Sequence, residues 1–167
     1  MIQLNWTIII VAALVPSITG MVWYHPKVFG TAWMNLSGLS EAKLKGGNMA
    51  IMMALSLLFS FFLALSLNPI VIHQMGVYSV LAGEPGIKDP TSEVSVFLST
   101  FMDRYGYNFR TYKHGAFHGT LVGIFMIMPV LAINGLFERK PAKLIIIHAA
   151  YWIFTLATMG ALICHFK

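Results

Sequence analysis

Charged residues are scarce in this chain: only 10% of its 167 residues are Asp, Glu, Lys or Arg, against about 25% in a typical soluble domain. The six acidic residues all lie outside the long apolar runs. A proton-coupled carboxylate transporter usually has an acid inside a span, so this distribution argues against that class. The single cysteine, Cys164, excludes an internal disulfide framework and says little about the redox compartment.

Recognised catalytic motifs are also missing from the sequence. It contains no phosphate-binding glycine loop, no G-x-S-x-G elbow and no H-E-x-x-H run, and we therefore predict that the protein is not a classical enzyme. The formal net charge is +5, but the basic residues flank apolar runs, where they meet lipid headgroups. We expect a lipid bilayer as the partner, and no nucleic acid.

Long apolar runs dominate what is present. Four of them contain no charged residue, and each approaches or exceeds the ~20 residues that a helix needs to cross a bilayer. They predict spans at about 4–23, 49–73, 113–136 and 143–164 within one integral membrane domain, 1–167. The first run has no Lys or Arg before it and no small-x-small cleavage pattern before Trp23, so we expect it to stay as a helix.

A fifth helix is predicted between the second and third spans. Apolar residues recur there at helical i, i+3, i+4, i+7 spacing over about 92–105, which is typical of an amphipathic helix lying at a membrane surface. Pro69 predicts a kink near the end of the second span. The fold class is therefore all-α: a four-transmembrane-helix bundle with an additional interfacial amphipathic helix.

The positive-inside rule suggests an orientation. Both short connections carry basic residues near span ends, which favours a cytoplasmic position for them and extracytoplasmic termini. These residues are Lys27, Lys43 and Lys45 in the first connection, and Arg139, Lys140 and Lys143 in the second. Trp23, Tyr24 and Trp33 flank the first span and are predicted to be interfacial anchors of the aromatic belt.

A stripe of small residues marks the third span. Gly115, Gly119 and Gly123 recur every four residues, so another helix can approach this face closely. One interpretation is a homo-oligomer interface. The other is packing within the chain, most simply against Ala157 and Ala161 of the fourth span.

Histidines near one end of the bundle form a second candidate site. His114 and His118 lie one helical turn apart, and the predicted topology brings His73 and His165, with Cys164, to the same side. Such a set could hold zinc, copper or a haem between paired imidazoles. The alternative is a set of interfacial histidines bonded to backbone or headgroups. No carboxylate or second cysteine completes a recognised ligand pattern.

One further run is specific enough to suggest a family. The segment Val22-Trp23-Tyr24-His25-Pro26-Lys27-Val28-Phe29-Gly30-Thr31-Ala32-Trp33-Met34, followed by Gly38-Leu39, resembles the opening of the domain of unknown function 1761 family, with its W-Y-x-P and F-G-x-x-W signature. The stretches 123–134, 137–139, 148–152 and 159–160 are similar to that family's last two helices, whereas 76–108 resembles a subgroup insertion. The resemblance implies a four-helix integral membrane protein of a bacterial inner membrane, and no reaction or catalytic residues.

Three functional hypotheses follow. The first is a structural or accessory protein that acts by helix packing, as a homo-oligomer or as a subunit of a membrane complex. The second is a metal- or haem-binding membrane protein. The third is a conductor of small solutes or ions, motivated by the prolines inside the spans and by two polar side chains, Asn134 and His118.

Overall fold

The computed structural model describes residues 4–166, and this part of the chain is helical with no strands. The predicted domain 1–167 also includes residues 1–3 and 167, which lie outside the described residues. Four helical rods are long and apolar enough to cross a membrane, with mean hydropathy of 1.7 to 2.4 over their most apolar stretches. The predicted all-α four-helix fold is confirmed.

The first rod is α1 (Trp6–Trp23). A π-helical turn (Pro26–Gly30) and two short helices, α2 (Thr31–Ser37) and α3 (Glu41–Lys45), lead to the second rod, α4 (Met49–Val71). Two shorter helices follow, α5 (Gln74–Leu81) and α6 (Glu93–Tyr105). The third rod is continuous and contains α7 (Tyr112–Val122), a π-helical stretch (Gly123–Ile127) and α8 (Met128–Phe137); the fourth is α9 (Ala142–His165).

The fourth rod lies at the centre of the bundle. In the most apolar stretch of α9, 44% of the residues are buried, against 11% to 28% in the other three rods. It contacts α1, α4, α7 and α8. Apolar side chains fill the space between α1, α4 and α9, among them Ile9, Leu67, Leu156 and Ile163. This packed centre fixes how the ends of the rods sit relative to one another.

The third rod packs along α9 through the glycine stripe. A Cβ atom added at Gly119 would lie 2.9 Å from Ala157 Cα, and one added at Gly123 would lie 2.7 Å from Ile153 Cα. Gly115 faces Gly160 in a reciprocal contact. Backbones this close leave no space for a side chain, and dispersion contacts then hold the two helices together.

The second rod continues through Pro69 as an α-helix to Val71, and a break follows at Ile72 and His73. The kink expected at Pro69 stays a prediction. A proline disrupts the hydrogen bonds of the turn on its N-terminal side and leaves the following turn intact: Ile72 N–H still donates to Asn68 O at 3.0 Å. The separate helix α5 then begins at Gln74.

The amphipathic helix α6 begins at Glu93, one residue after the predicted start of about 92, and it ends at Tyr105 as predicted. Ser92 caps its first turn, because the Ser92 hydroxyl accepts a hydrogen bond from Ser95 N–H. Gly106 follows its last residue. This helix lies beside α5, beyond the end of the second rod.

Candidate metal centre

Three histidines converge at one end of the bundle. His73 lies in the break between α4 and α5, whereas His114 and His118 lie one turn apart on α7. One nitrogen of each ring can be chosen so that all three lie within 4.8 Å of one another. Within residues 4–166, this is the only such grouping of three or more histidine, cysteine or acidic side chains.

The rings meet edge to face. Their centroids are 4.8 Å apart between His73 and His114, 4.7 Å between His73 and His118, and 4.5 Å between His114 and His118. Zinc–nitrogen bonds of about 2.0–2.1 Å hold tetrahedral ligand nitrogens roughly 3.4 Å apart. For one tetrahedral ion to hold all three, the ligand nitrogens have to come closer by up to about 1.4 Å.

One imidazole nitrogen in this cluster has no hydrogen-bond partner. His114 Nε2 is buried and unbonded. A buried polar atom left unsatisfied costs about 1–3 kcal/mol, and a metal ion would use the lone pair of that nitrogen. The unbonded nitrogen of His114 therefore supports a metal ion at this cluster independently of the distances.

The fourth predicted ligand lies elsewhere. The ring of His165 stacks on Tyr112 with a centroid distance of 3.7 Å and an interplanar angle of 17°. The thiol of Cys164 is buried and donates to Val71 O at 3.3 Å and to Phe109 O at 3.4 Å. The structure therefore brings together His73, His114 and His118 and separates His165 and Cys164 from them.

Arg110 holds the loop before α7 against the C-terminal end of α9. Its Nε donates to Cys164 O at 2.7 Å, and an Nη nitrogen donates to Phe166 O at 3.0 Å. The preceding residue, Phe109, has a left-handed backbone with φ of 62°, which is uncommon for a residue other than glycine. Its ring lies 5.3 Å from the ring of His114.

A pocket adjoins the cluster and was not predicted from the sequence. It has a volume of about 340 Å³ and is lined by His73, Gln74, Val77, Phe101, Tyr105, Asn108 and Phe109. Gln74 is buried and holds the pocket wall in place, since its side-chain nitrogen donates to Tyr105 O at 3.1 Å and to Asn108 O at 2.8 Å. The only sequence signal for this pocket was the aromatic face of α6.

The predicted interfacial anchors form a cluster of their own at the opposite end. The Tyr24 hydroxyl is 2.8 Å from His148 Nδ1, and its ring lies 5.2 Å from that of Trp33. Burial, together with the nearby Tyr151 hydroxyl, raises the pKa of Tyr24 well above its usual range, so this phenol stays neutral. The Trp23 ring lies 4.7 Å from that of Phe29. These side chains pack on one another and on α9, whereas their place in an aromatic belt stays a prediction.

The glycine stripe has its partner inside the chain. Of the two interpretations, internal packing against α9 is the one that the contacts of Gly115, Gly119 and Gly123 match. The facing residues are Gly160, Leu156, Ala157 and Ile153, so Ala157 was predicted correctly and Gly160 takes the place expected for Ala161.

A family model described as "Protein of unknown function (DUF1761)" matches residues 7–164. The chain belongs to this family. The resemblance noted in both halves of the chain is thereby confirmed, and the match also extends across 76–108. No curated protein and no solved structure matches the chain. The family has no known activity, so membership supports a membrane protein of unknown function and assigns it no reaction.

Proposed function

We propose that this protein binds one transition-metal ion per chain through His73, His114 and His118. The observation that carries the proposal is the convergence of three imidazoles from two rods, with ligand nitrogens within 4.8 Å. Imidazole nitrogen suits zinc, copper, iron and nickel, and three histidines are a common protein ligand set for zinc.

The same geometry favours an ion over a haem. Two axial imidazoles flank a haem from opposite faces of the macrocycle. Ring centroids 4.5 to 4.8 Å apart leave no room for a macrocycle between any two of these histidines. A shared ion needs no such space.

The test is a titration of purified, chelator-treated protein in mild detergent with Zn²⁺ and Co²⁺. We expect one ion per chain, and replacement of His118 with Ala should weaken binding more than about 100-fold, because even losing a group that only supports a ligand costs 10–100-fold. His165→Ala is the matched control, since this ring stacks on Tyr112, away from the cluster. Equal loss in both variants, or no binding by the unaltered protein, would overturn the proposal.

A homo-oligomer is a second candidate, favoured by a different observation. Residues 49–56, in the first half of α4, are all exposed, and Met49, Ile51, Met52, Met53 and Leu55 among them form an apolar surface that neighbouring helices of the chain leave uncovered. A second copy could cover it. Disulfide cross-linking of Leu55→Cys should then trap a dimer, whereas Ile146→Cys, an exposed site on α9, should not. Equal trapping at both sites would indicate random collision.

The conductor hypothesis receives less support. Buried apolar side chains close the space between α1, α4 and α9 around Ile9, Leu67 and Ile163. A pocket of about 620 Å³ between the same helices, lined by Pro16, Ser60 and Tyr151 among others, is therefore not continued through the bundle. Asn134 is exposed on α8. We therefore propose no route along the bundle axis.

A further inference from the structure

The proposed metal centre consists of the three histidines and the pocket that lies beside them. Structural zinc sites are closed by four protein ligands, whereas sites that act on a ligand have three and keep one position open. Here the two side chains that could close the site are both engaged elsewhere: His165 stacks on Tyr112, and Cys164 donates to two backbone carbonyls. Three imidazoles would leave one position of a four-coordinate ion unfilled.

The pocket meets one of the three ligands directly and a second only through Phe109. His73 is itself part of the pocket lining. Phe109 lines the pocket and also lies against the ring of His114, at 5.3 Å between centroids. A molecule in this pocket would therefore sit next to the ion.

The lining defines the chemistry of that molecule. Three of the seven lining residues carry aromatic rings, Phe101, Tyr105 and Phe109, and Val77 adds a further apolar side chain. The polar nitrogen of Gln74 is already used by two backbone carbonyls, so it has little to offer a ligand. A volume of about 340 Å³ is at the lower end of the 300–1,000 Å³ range of small-molecule sites. Such a pocket suits one apolar or aromatic ring.

We infer that the metal centre is a ligand site for small molecules in which a metal-binding nitrogen, oxygen or sulfur atom is attached to a single aromatic ring. The donor atom takes the open position on the ion, and the ring packs among Phe101, Tyr105 and Phe109. This inference rests on the proposed function, because without an ion the donor atom has no partner.

The test compares two ligands that share a donor and differ by one ring. Co²⁺-loaded protein in detergent is titrated with imidazole and with 4-phenylimidazole, and binding is followed in the visible d–d spectrum of the cobalt. We expect 4-phenylimidazole to bind about tenfold more tightly, because aromatic packing adds to the same metal–nitrogen bond.

Two variants on one helix separate the pocket from general hydrophobic effects. Phe101→Leu should remove most of the preference for 4-phenylimidazole over imidazole, because it removes one of the aromatic rings of the pocket. Phe97→Ala is the control: it lies one turn away on α6, is exposed and is not part of this pocket, so it should keep the preference.

The outcomes distinguish the two proposals. If cobalt binds and responds equally to both ligands, or if Phe97→Ala loses the preference as Phe101→Leu does, the pocket inference is overturned while the metal site stands. If no d–d bands appear on adding Co²⁺, the metal site fails and the inference fails with it.

Discussion

Single glycines determine how closely the third rod approaches α9. A methyl group added at Gly119 does not fit, because the Ala157 Cα lies too near. We predict that Gly119→Ala lowers the free energy of unfolding by about 1–3 kcal/mol through overpacking, measured as a lower melting temperature in detergent. Gly76→Ala is the control, since an added Cβ there meets nothing within 4 Å. It should leave stability unchanged or raise it by up to about 1 kcal/mol. Equal losses in both variants would contradict this account of the stripe.

The protonation of the cluster histidines gives a second prediction at the same scale. A metal ion binds the neutral imidazole, so protons compete with it as the pH falls. We expect the affinity for Zn²⁺ to fall as the pH is lowered into the range where these imidazoles take up protons. Isothermal titration at several pH values measures this. An affinity that stays constant over that range would indicate ligands other than histidine.

Another residue, Tyr151, ties the first rod to the fourth. Its hydroxyl donates to Pro16 O at 2.7 Å inside the bundle. Tyr151→Phe removes that hydrogen bond and keeps the ring, and interhelical hydrogen bonds in membranes average about 0.6 kcal/mol. We therefore expect a small loss of stability, well below that of Gly119→Ala, in the same thermal melt. A loss of stability as large as that of Gly119→Ala would contradict this account, because it would mean that removing the hydroxyl disturbs more than one hydrogen bond.

Helix α6 and the loop after it are held in place by a few contacts from outside the helix. Arg110 bonds two carbonyls at the C-terminal end of α9, where a cation is also favoured by the helix dipole. We predict that Arg110→Gln increases hydrogen exchange in residues 106–111, measured by mass spectrometry. Arg104→Gln is the control, because this exposed guanidinium lies over the Tyr105 ring, 5.3 Å from its centroid. Unchanged exchange in Arg110→Gln would show that the loop is held by other contacts.

The helices could be predicted from the sequence more readily than the contacts between the helices. The four rods follow from uncharged apolar runs, and His114 and His118 share a face because of helical periodicity. The exclusion of His165 could not be predicted, because it depends on how α9 is rotated and on a stacking contact with Tyr112. The partner of the glycine stripe was equally ambiguous, since a close-packing face has the same pattern within a chain and between chains. The pocket depends on where α6 lies against α5, which no local pattern specifies.

The orientation of the whole molecule is still a prediction. The basic residues of the two short connections favour a cytoplasmic position for these connections, and so extracytoplasmic termini and an extracytoplasmic histidine cluster. Membrane-impermeant thiol reagents should then label Ser99→Cys on α6 from outside the cell, and Asn35→Cys on α2 only after the membrane is opened. Both positions are exposed, and the native Cys164 is buried. The reverse labelling pattern would place the cluster in the cytoplasm.

The metal content of the intact protein tests the central claim most directly. Native mass spectrometry of protein extracted in mild detergent without chelator weighs the 18.5 kDa chain together with whatever it holds. We predict the added mass of one transition-metal ion per chain in the unaltered protein and in His165→Ala, and its loss in His118→Ala. A metal-free unaltered chain that also fails to take up added Zn²⁺ or Co²⁺ would contradict the claim that His73, His114 and His118 form a metal site.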